Sequence, residues 1–379
     1  MSGNAGDELA IPPLPGHRVL VLQGGGALGS YQAGVFAALD SADYCPQWIA
    51  GISIGAINAA LIAGNPPERR RQRLTAFWER VTGHLPWEWL DDAARPAAGL
   101  MSSARHQWAA AATSLLGAPG FFRPQWPWLP GWWPGQVALY DTQALQQTLA
   151  ELVDWDLLNN GPVRLSVGAV NVETGNFRYF DTARERLDAR HVMASGALPP
   201  GLPPVEIDGQ WWWDGGLVSN TPLDHVLDCA ADDDLTIFQL DLFPARGARP
   251  DNLADVEERA ADIRFSSRTR FTTQAQARLN APREAWARLK AQLPPALAAS
   301  PEAQLLDKVA RGRRAVVAQF VYRDRPWQGA AKGREFSRAT MLAHWRQGEA
   351  DVTAALARRG WAGLPAGPGV WSFDATGAG

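Results

Sequence analysis

A serine between two glycines, Gly51-Ile52-Ser53-Ile54-Gly55, is the pattern in this 379-residue chain that points most directly to chemistry. A serine on a sharp strand-to-helix turn is held in a strained backbone conformation, and glycines two residues away on each side leave room for it. The following helix would direct free N–H groups and its positive dipole end at the hydroxyl. The pattern predicts a nucleophile at Ser53, although a turn without chemistry has the same local sequence.

A run of three glycines, Gly24, Gly25 and Gly26, precedes this serine by about two dozen residues. It lies between an apolar stretch of buried-strand type and a helical stretch, which is also how a phosphate-binding turn begins. The lysine and the serine or threonine of a P-loop do not follow, however. Backbone N–H groups that no side chain shields can instead form an oxyanion hole, and the serine downstream favours this second interpretation.

A serine hydroxyl needs a base, because it is a poor nucleophile at neutral pH. Histidine is the usual base, but of the six histidines the two late ones, His225 and His344, do not lie on an obvious loop after a strand. Asp214 does, since it ends a tryptophan-rich strand and is followed by two glycines. A partly desolvated carboxylate can accept the proton. Asp-Gly is also an ordinary turn signal, so the residues alone leave both interpretations open.

Predicted strands and helices surround these residues. The helix from Ile54 to Ala63 is apolar on every side, so we expect it to be buried between layers, with Asn58 bonded to a backbone group. Beyond Pro250 the spacing is helical, with breaks at Pro282 and later prolines. One strand is predicted there at residues 315–322, and a last helix at 337–358.

The charge is unevenly distributed, although the net charge of −3 gives no indication of nucleic-acid binding. Residues 1–245 hold 14 basic and 26 acidic residues, and residues 246–379 hold 22 and 13. The net charges of −12 and +9 are consistent with docking of the two regions on each other, or with a basic face that meets an anionic surface.

Residues 84–136 read as an insertion with little charge and seven of the 18 tryptophans. Indole rings suit a surface that is apolar on one side and wet on the other, so the insertion is a candidate lid or docking patch for lipid. Packing of the tryptophans against the body of the protein is the alternative.

Targeting signals are absent from the sequence. The first 16 residues have no basic start and no apolar core of a signal peptide, and no apolar run is long enough to span a membrane. Cys45 and Cys229 lack metal-ligand spacing and fit a reducing compartment as small apolar fillers. We therefore expect a cytoplasmic protein, with peripheral contact to a membrane through the insertion as a further possibility.

The order of the motifs resembles the patatin-like phospholipase family over about residues 18–243: a glycine-rich loop after the first strand, then G-x-S-x-G, then Asp-Gly-Gly. In that family a Ser–Asp dyad replaces the catalytic triad. The resemblance implies Ser53 as nucleophile, Asp214 as base and an oxyanion hole formed by the N–H groups of Gly24, Gly25 and Gly26. It implies no cofactor and no metal.

Further matches and two departures accompany this resemblance. The matches are Tyr31-Gln32-Ala33-Gly34-Val35, Ala194-Ser195 and Asn220-Thr221-Pro222. The departures are Leu28, where the family often has Arg or Lys, and Gln23, where Asp is common. They leave the backbone donors intact but put the preference for a lipid head group in doubt.

The implied architecture is a three-layer α/β/α sandwich with a central mixed sheet and a mainly helical C-terminal extension. We expect a loose leader over residues 1–17, a catalytic domain over 18–245 that contains the insertion, and the extension over 246–379. The extension resembles one found on a subset of bacterial patatin-like proteins, some associated with 3-hydroxybutyrate dehydrogenases.

The implied activity is hydrolysis of lipid esters through an acyl-enzyme, as a phospholipase A or lipid acyl hydrolase. Two alternatives remain open: an esterase for hydroxybutyrate oligomers or other short esters, and a scaffold of low activity that binds a partner.

Overall fold

A mixed sheet of nine strands forms the centre of the protein in the computed structural model. The structure describes residues 16–82, 110–125, 135–230, 233–310, 313–323, 332–358 and 368–377. The strands of these residues are β1 (His17–Leu22), β2 (Trp48–Gly51), β3 (Arg123–Pro124), β4 (Tyr140–Asp141), β5 (Arg164–Asn171), β6 (Phe177–Asp181), β7 (Val205–Ile207), β8 (Gln210–Asp214), β9 (Leu235–Asp241), β10 (Arg314–Val321) and β11 (Gly369–Asp374).

The order in the large sheet is β11-β10-β9-β1-β2-β5-β8-β7, with β6 also paired to β5. Neighbours from β11 through β5 run parallel, whereas β6 and β8 are antiparallel to β5. The sheet is therefore mixed, as predicted. The strands β3 and β4 pair with each other outside it.

Helices cover both faces of this sheet. They are α1 (Gly29–Ser41), α2 (Ile54–Ala63), α3 (Pro67–Val81), α4 (Gln143–Leu152), α5 (Trp155–Asn160), α6 (Ala189–Ser195), α7 (Leu223–Cys229), α8 (Leu253–Lys290), α9 (Pro295–Ala298), α10 (Pro301–Ala310) and α11 (Arg338–Arg358). Three short 3₁₀ turns, η1 (Gly26–Leu28), η2 (Gly215–Leu217) and η3 (Lys332–Arg334), complete the elements.

The alternation of side chains along β1 shows how the layers are built. Leu20 and Leu22 point into a core shared with α1, α2 and α3, whereas Val19 and Val21 point to the other face, against α7. Successive side chains of a strand point to opposite faces, so an apolar run such as β1 must be covered on both. The predicted three-layer arrangement is confirmed.

Helix α2 is the central helix of the larger core. All ten of its residues are buried, as its all-round apolar composition predicted. The Asn58 side-chain amide donates to the Gly29 carbonyl at 3.0 Å and accepts from the Trp78 indole at 3.1 Å. Asn58 therefore satisfies a backbone group, which confirms the expectation for its one polar side chain.

The C-terminal extension is helical, as predicted, but it also adds two strands to the central sheet. The predicted strand is β10, which lies beside β9, and β11 is a further strand that was not predicted. The last helix α11 packs closely on α1, because a Cβ at Gly34 would come within 2.0 Å of the Trp345 carbonyl oxygen. The division at residue 245 stays a prediction, since both regions share one sheet.

Two local predictions were wrong. Helix α8 runs through Pro282, where a break was predicted; this proline is exposed, so the carbonyl group that it leaves without a donor lies on the solvent side of the helix. Cys45 is exposed rather than a buried filler. All seven tryptophans of the insertion lie outside the described residues.

Candidate active site

A cavity of about 460 Å³ opens where β1 and β2 end, at the carboxyl edge of the parallel strands. Ligands of open α/β sheets bind at this edge. The lining is largely apolar and includes the aromatic side chains of Phe121, Phe122, Phe243, Phe265 and Phe336. The same cavity is lined by all five residues for which the sequence predicted a catalytic role, namely Gly24, Gly25, Gly26, Ser53 and Asp214.

Ser53 occupies the turn between β2 and α2 with φ 56° and ψ −124°. Few residues other than glycine adopt such a positive φ, and the strain is typical of functional sites. The two glycines of the motif make the turn possible: a Cβ at Gly51 would lie 2.4 Å from the Gly55 carbonyl oxygen, and one at Gly55 would lie 2.5 Å from the Leu22 carbonyl oxygen. The N–H of Ser53 donates to the Ser195 hydroxyl at 3.0 Å.

Asp214 ends β8 and lines the cavity together with Ser53. It is 2% exposed, and its Oδ1 accepts from the N–H of Gly216 at 2.7 Å. Burial raises the pKa of Asp214 to about 7, and the interactions with the Ser53 side chain and the Gly216 N–H offset only part of this effect. Asp214 is thus a carboxyl group that changes its charge near neutral pH.

The glycine turn after β1 is held in place by Asn220. The N–H of Gly24 donates to the Asn220 backbone oxygen at 3.2 Å, and the Asn220 side-chain amide donates to the Gly24 carbonyl at 2.9 Å. The amide of Gly24 is therefore occupied, which corrects the expectation of three available donors. Gly25 and Gly26 are partly exposed beside it, and Gly26 has a positive φ of 59°.

The histidines that the structure describes are engaged elsewhere. His191 caps the start of α6 together with Asp188, and His225 stacks on Tyr179 at 3.8 Å between ring centroids. His344 is hydrogen-bonded to the Ser30 hydroxyl at 3.2 Å. No described histidine lines the cavity. Within the ranges described, no three His, Cys, Asp or Glu side chains come together as a metal site, and no helix is long and apolar enough to cross a membrane.

Gln23, one of the two departures from the family pattern, has a clear structural role. Its side-chain oxygen accepts from the N–H groups of Leu242 and Phe243 at 2.6 and 3.1 Å. Its side-chain nitrogen donates to the Thr221 hydroxyl at 2.9 Å and to the Phe265 carbonyl at 3.2 Å. A carboxylate accepts but cannot donate, so the amide suits a position that contacts α8 of the extension.

Sequence reasoning missed several residues of the site. Asn220 and Ser195 were noted as matches without a role, although Ser195 accepts from the N–H of Ser53 and Asn220 is bonded to Gly24. The contribution of the extension was not foreseen: Phe265, Gly333, Arg334 and Phe336 line the cavity. The basic character of the extension and its Phe336-Ser337-Arg338 segment were the available signals, but neither indicates a position in the fold.

Known proteins resemble the chain in sequence and in structure. The family described as patatin-like phospholipase matches residues 20–227, and a second family described as patatin phospholipase matches residues 263–366. None of the curated proteins matches.

Solved structures of two bacterial proteins are similar at low identity. VipD from Legionella pneumophila is 12% identical, with 89% of this chain and 68% of VipD covered and a TM-score of 0.35. The type III effector ExoU is 16% identical, with 89% and 54% covered and a TM-score of 0.28. ExoU in complex with SpcU from Pseudomonas aeruginosa is 17% identical, with 67% and 51% covered and a TM-score of 0.27. The chain thus spans about half the length of the ExoU chains.

The match over residues 20–227 covers more than half of the chain, and it includes the glycine turn, Ser53 and Asp214. The chain therefore belongs to the patatin-like phospholipase family and is a lipid ester hydrolase.

Proposed function

We propose that the chain acts as a phospholipase A or lipid acyl hydrolase, with Ser53 as nucleophile and Asp214 as the base that activates it. The observation that carries this proposal is that the Ser53 side chain and the buried carboxyl group of Asp214 line the same apolar cavity. A pKa of about 7 suits a group that must take up a proton and return it within one turnover.

In the first half of the reaction, the Ser53 oxygen attacks the ester carbonyl carbon and its proton passes to Asp214. The N–H groups of Gly25 and Gly26 stabilise the negative charge that develops on the carbonyl oxygen. Gly24 supports this turn through its two hydrogen bonds to Asn220, and its N–H group does not donate to the substrate oxygen. The bond to the alcohol oxygen then breaks, and Asp214 gives its proton to the departing alcohol, which leaves an acyl group on Ser53.

In the second half, a water molecule takes the place of the alcohol. Asp214 accepts a proton from this water as its oxygen attacks the acyl carbon. The bond to the Ser53 oxygen breaks, and the proton returns to that oxygen as the free carboxylic acid departs. The scheme uses only groups of this chain, and the aromatic lining of the cavity provides apolar surface for the acyl chain.

Exposed apolar side chains around the cavity mouth support access from a lipid surface. We define this rim as Leu139 and Leu198, which line the cavity and are 42% and 43% exposed, together with Leu115, Leu116 and Val137, which are exposed and lie within two residues of lining residues in the chain. It is held together by the bond from the Leu139 N–H to the Pro200 carbonyl and by the bond from the Tyr140 hydroxyl to the Ser114 carbonyl. Such a patch beside a substrate cavity is typical of contact with lipid or protein.

The test of the proposal is labelling with a fluorophosphonate probe, which reacts with activated serines. The wild type is expected to label, and Ser53→Ala and Asp214→Asn are expected to lose labelling while they remain folded by circular dichroism. Ser114→Ala is the matched control, because Ser114 also lines the cavity but its hydroxyl donates to the Ala110 carbonyl at 2.8 Å. A wild type that does not label, or an Asp214→Asn variant that labels normally, would contradict the assignment.

A chain-length series of p-nitrophenyl esters, run beside a phospholipid assay, separates long-chain lipid from the short esters of the alternative. Increasing activity with chain length supports the lipid assignment, and activity confined to short chains supports the esterase. If the Ser53→Ala protein still supports the activity of a bound partner protein, the scaffold alternative is favoured instead.

Association with a 3-hydroxybutyrate dehydrogenase stays a prediction of the resemblance. The unpaired thiols of Cys45 and Cys229 support the proposed cytoplasmic location.

A further inference from the structure

The 3₁₀ turn η3 (Lys332–Arg334), which belongs to the extension, is wedged against the glycine turn of the candidate active site. A Cβ at Gly26 would come within 2.1 Å of the Gly333 carbonyl oxygen, and one at Gly333 would lie 3.3 Å from the Gly25 carbonyl oxygen. The two backbones thus touch with no side chain between them. Any group carried by η3 therefore has a fixed position relative to the proposed oxyanion donors.

Residues on both sides of Arg334 are anchored in the protein. Lys332 is 4% exposed and pairs with Asp262 at 2.7 Å and with Glu258 at 3.2 Å, both on α8. Phe336 is buried against Phe121, with ring centroids 5.7 Å apart. Arg334 lies between these two anchors, so the short segment that carries it has little freedom to move.

Arg334 itself lines the cavity and is exposed at its mouth. Among the described residues, Asp214 is the other acidic or basic residue of the cavity wall, and no carboxylate forms an ion pair with Arg334. Leu28, in the adjacent turn η1, is fully buried and apolar. The positive charge at this end of the cavity therefore comes from the extension.

We propose that Arg334 determines substrate specificity by binding an anionic group on the alcohol side of the scissile ester. This inference rests on the proposed function of the site. Guanidinium recognises phosphate and carboxylate through paired hydrogen bonds, so the ligand chemistry is an oxyanion. A phospholipid phosphate and the terminal carboxylate of a hydroxybutyrate oligomer both provide it, and the experiment separates these sources.

The test uses four soluble octanoyl esters that share one acyl chain. Their alcohols are glycerol 3-phosphate, 3-hydroxybutyrate, glycerol and choline, which carry a phosphate, a carboxylate, no charge and a positive charge. For the wild type we expect kcat/KM for an anionic ester to exceed that for the glycerol ester by about tenfold, as expected for one charge-assisted contact. The anionic ester that is preferred identifies the source.

Substitution of Arg334 then tests the residue. Arg334→Gln is expected to lose the preference, so that kcat/KM for the anionic ester falls by about tenfold relative to that for the glycerol ester, and Arg334→Lys is expected to keep part of the preference. Arg334→Glu should favour the choline ester. Arg346→Gln is the matched control, because Arg346 is an exposed arginine of α11 that does not line the cavity. An equal loss on all four esters, or a preference unchanged in Arg334→Gln, would overturn the proposal.

Binding without turnover keeps this test independent of the proposed reaction. Octyl phosphate, octanoate and 1-octanol are titrated calorimetrically into the Ser53→Ala protein, with and without Arg334→Gln. Tighter binding of an anion that Arg334→Gln abolishes supports the proposal, and equal binding of all three ligands contradicts it. Failure of every ester to be hydrolysed, with anion binding intact, would contradict the proposed function alone.

Discussion

Ser53 and Asp214 line one apolar cavity, and the protein buries the Asp214 carboxyl group almost completely. Burial raises the pKa of that carboxyl to about 7, and only the ionised form can accept the serine proton. We expect kcat/KM for an uncharged ester to rise about tenfold per pH unit at acidic pH and to level off above about pH 8. The measurement is a pH–rate profile with octanoylglycerol. A profile in which kcat/KM reaches half of its plateau near pH 4 would contradict the prediction.

The same shift predicts how Asp214→Asn affects stability. Between the unfolded value of 3.8 and about 7, the folded wild type holds a proton that the unfolded chain releases, so its stability falls as pH rises through this window. The Asp214→Asn variant has no titrating group at this position, so it does not lose stability in this way. Its stability relative to the wild type should increase by a few kcal/mol, on the order of 4, between about pH 4 and pH 8.

Urea unfolding at the two pH values measures this difference. The pKa of Asp241, which burial also raises to about 7, affects both proteins equally and cancels in the comparison. A stability difference that does not change with pH would show that Asp214 is not shifted in the folded protein.

Gly55 is predicted to tolerate no side chain. A Cβ there would lie 2.5 Å from the Leu22 carbonyl oxygen, and neither backbone can move without displacing the central sheet. Gly55→Ala is expected to destabilise the fold by about 3 kcal/mol and to abolish labelling of Ser53. Gly196→Ala is the control, because its Cβ would meet nothing closer than 3.7 Å. Similar melting temperatures for the two variants would refute the steric argument.

Asn220→Ala is predicted to loosen the glycine turn without removing a reacting group. The Gly24 carbonyl would lose the donor that now lies 2.9 Å away, and the proposed oxyanion donors Gly25 and Gly26 would lose their alignment. We expect kcat to fall by about 10- to 100-fold with little change in KM. Asn160→Ala, which removes an exposed amide bonded to the Asp156 carbonyl, should have no such effect. A change confined to KM would assign Asn220 to substrate binding instead.

Much of the catalytic region could be predicted because its signals are local. The apolar run of β1, the all-round apolar helix α2 and the glycines around Ser53 each determine a conformation through residues close in sequence. The pairing of Ser53 with Asp214 is long-range, and it was accessible only through the order of motifs in a resembling family. The hydrogen bond from the Gly24 N–H to the backbone oxygen of Asn220 could not be predicted in this way, because it also joins residues that are far apart in the sequence.

The role of the extension was beyond sequence reasoning for the same physical reason. Its helices follow from local spacing, but the contact between Phe336 and Phe121 joins residues from distant parts of the chain. Pro282 misled the prediction, since a proline on the exposed side of a helix can be accommodated at a cost that packing elsewhere offsets. The short strand β11 lies in a stretch whose glycines and prolines favour irregular structure.

The pairing of β10 with β9 decides which part of the chain can exist by itself. All seven residues of β9 have a partner in β10, so a fragment that ends at Ala245 would expose their backbone groups along an open border of the sheet. Exposed edge strands pair with strands of other chains, so such a fragment would self-associate rather than fold as a monomer. The extension is therefore a structural completion of the hydrolase, and removing it would yield aggregates before any loss of specificity became measurable.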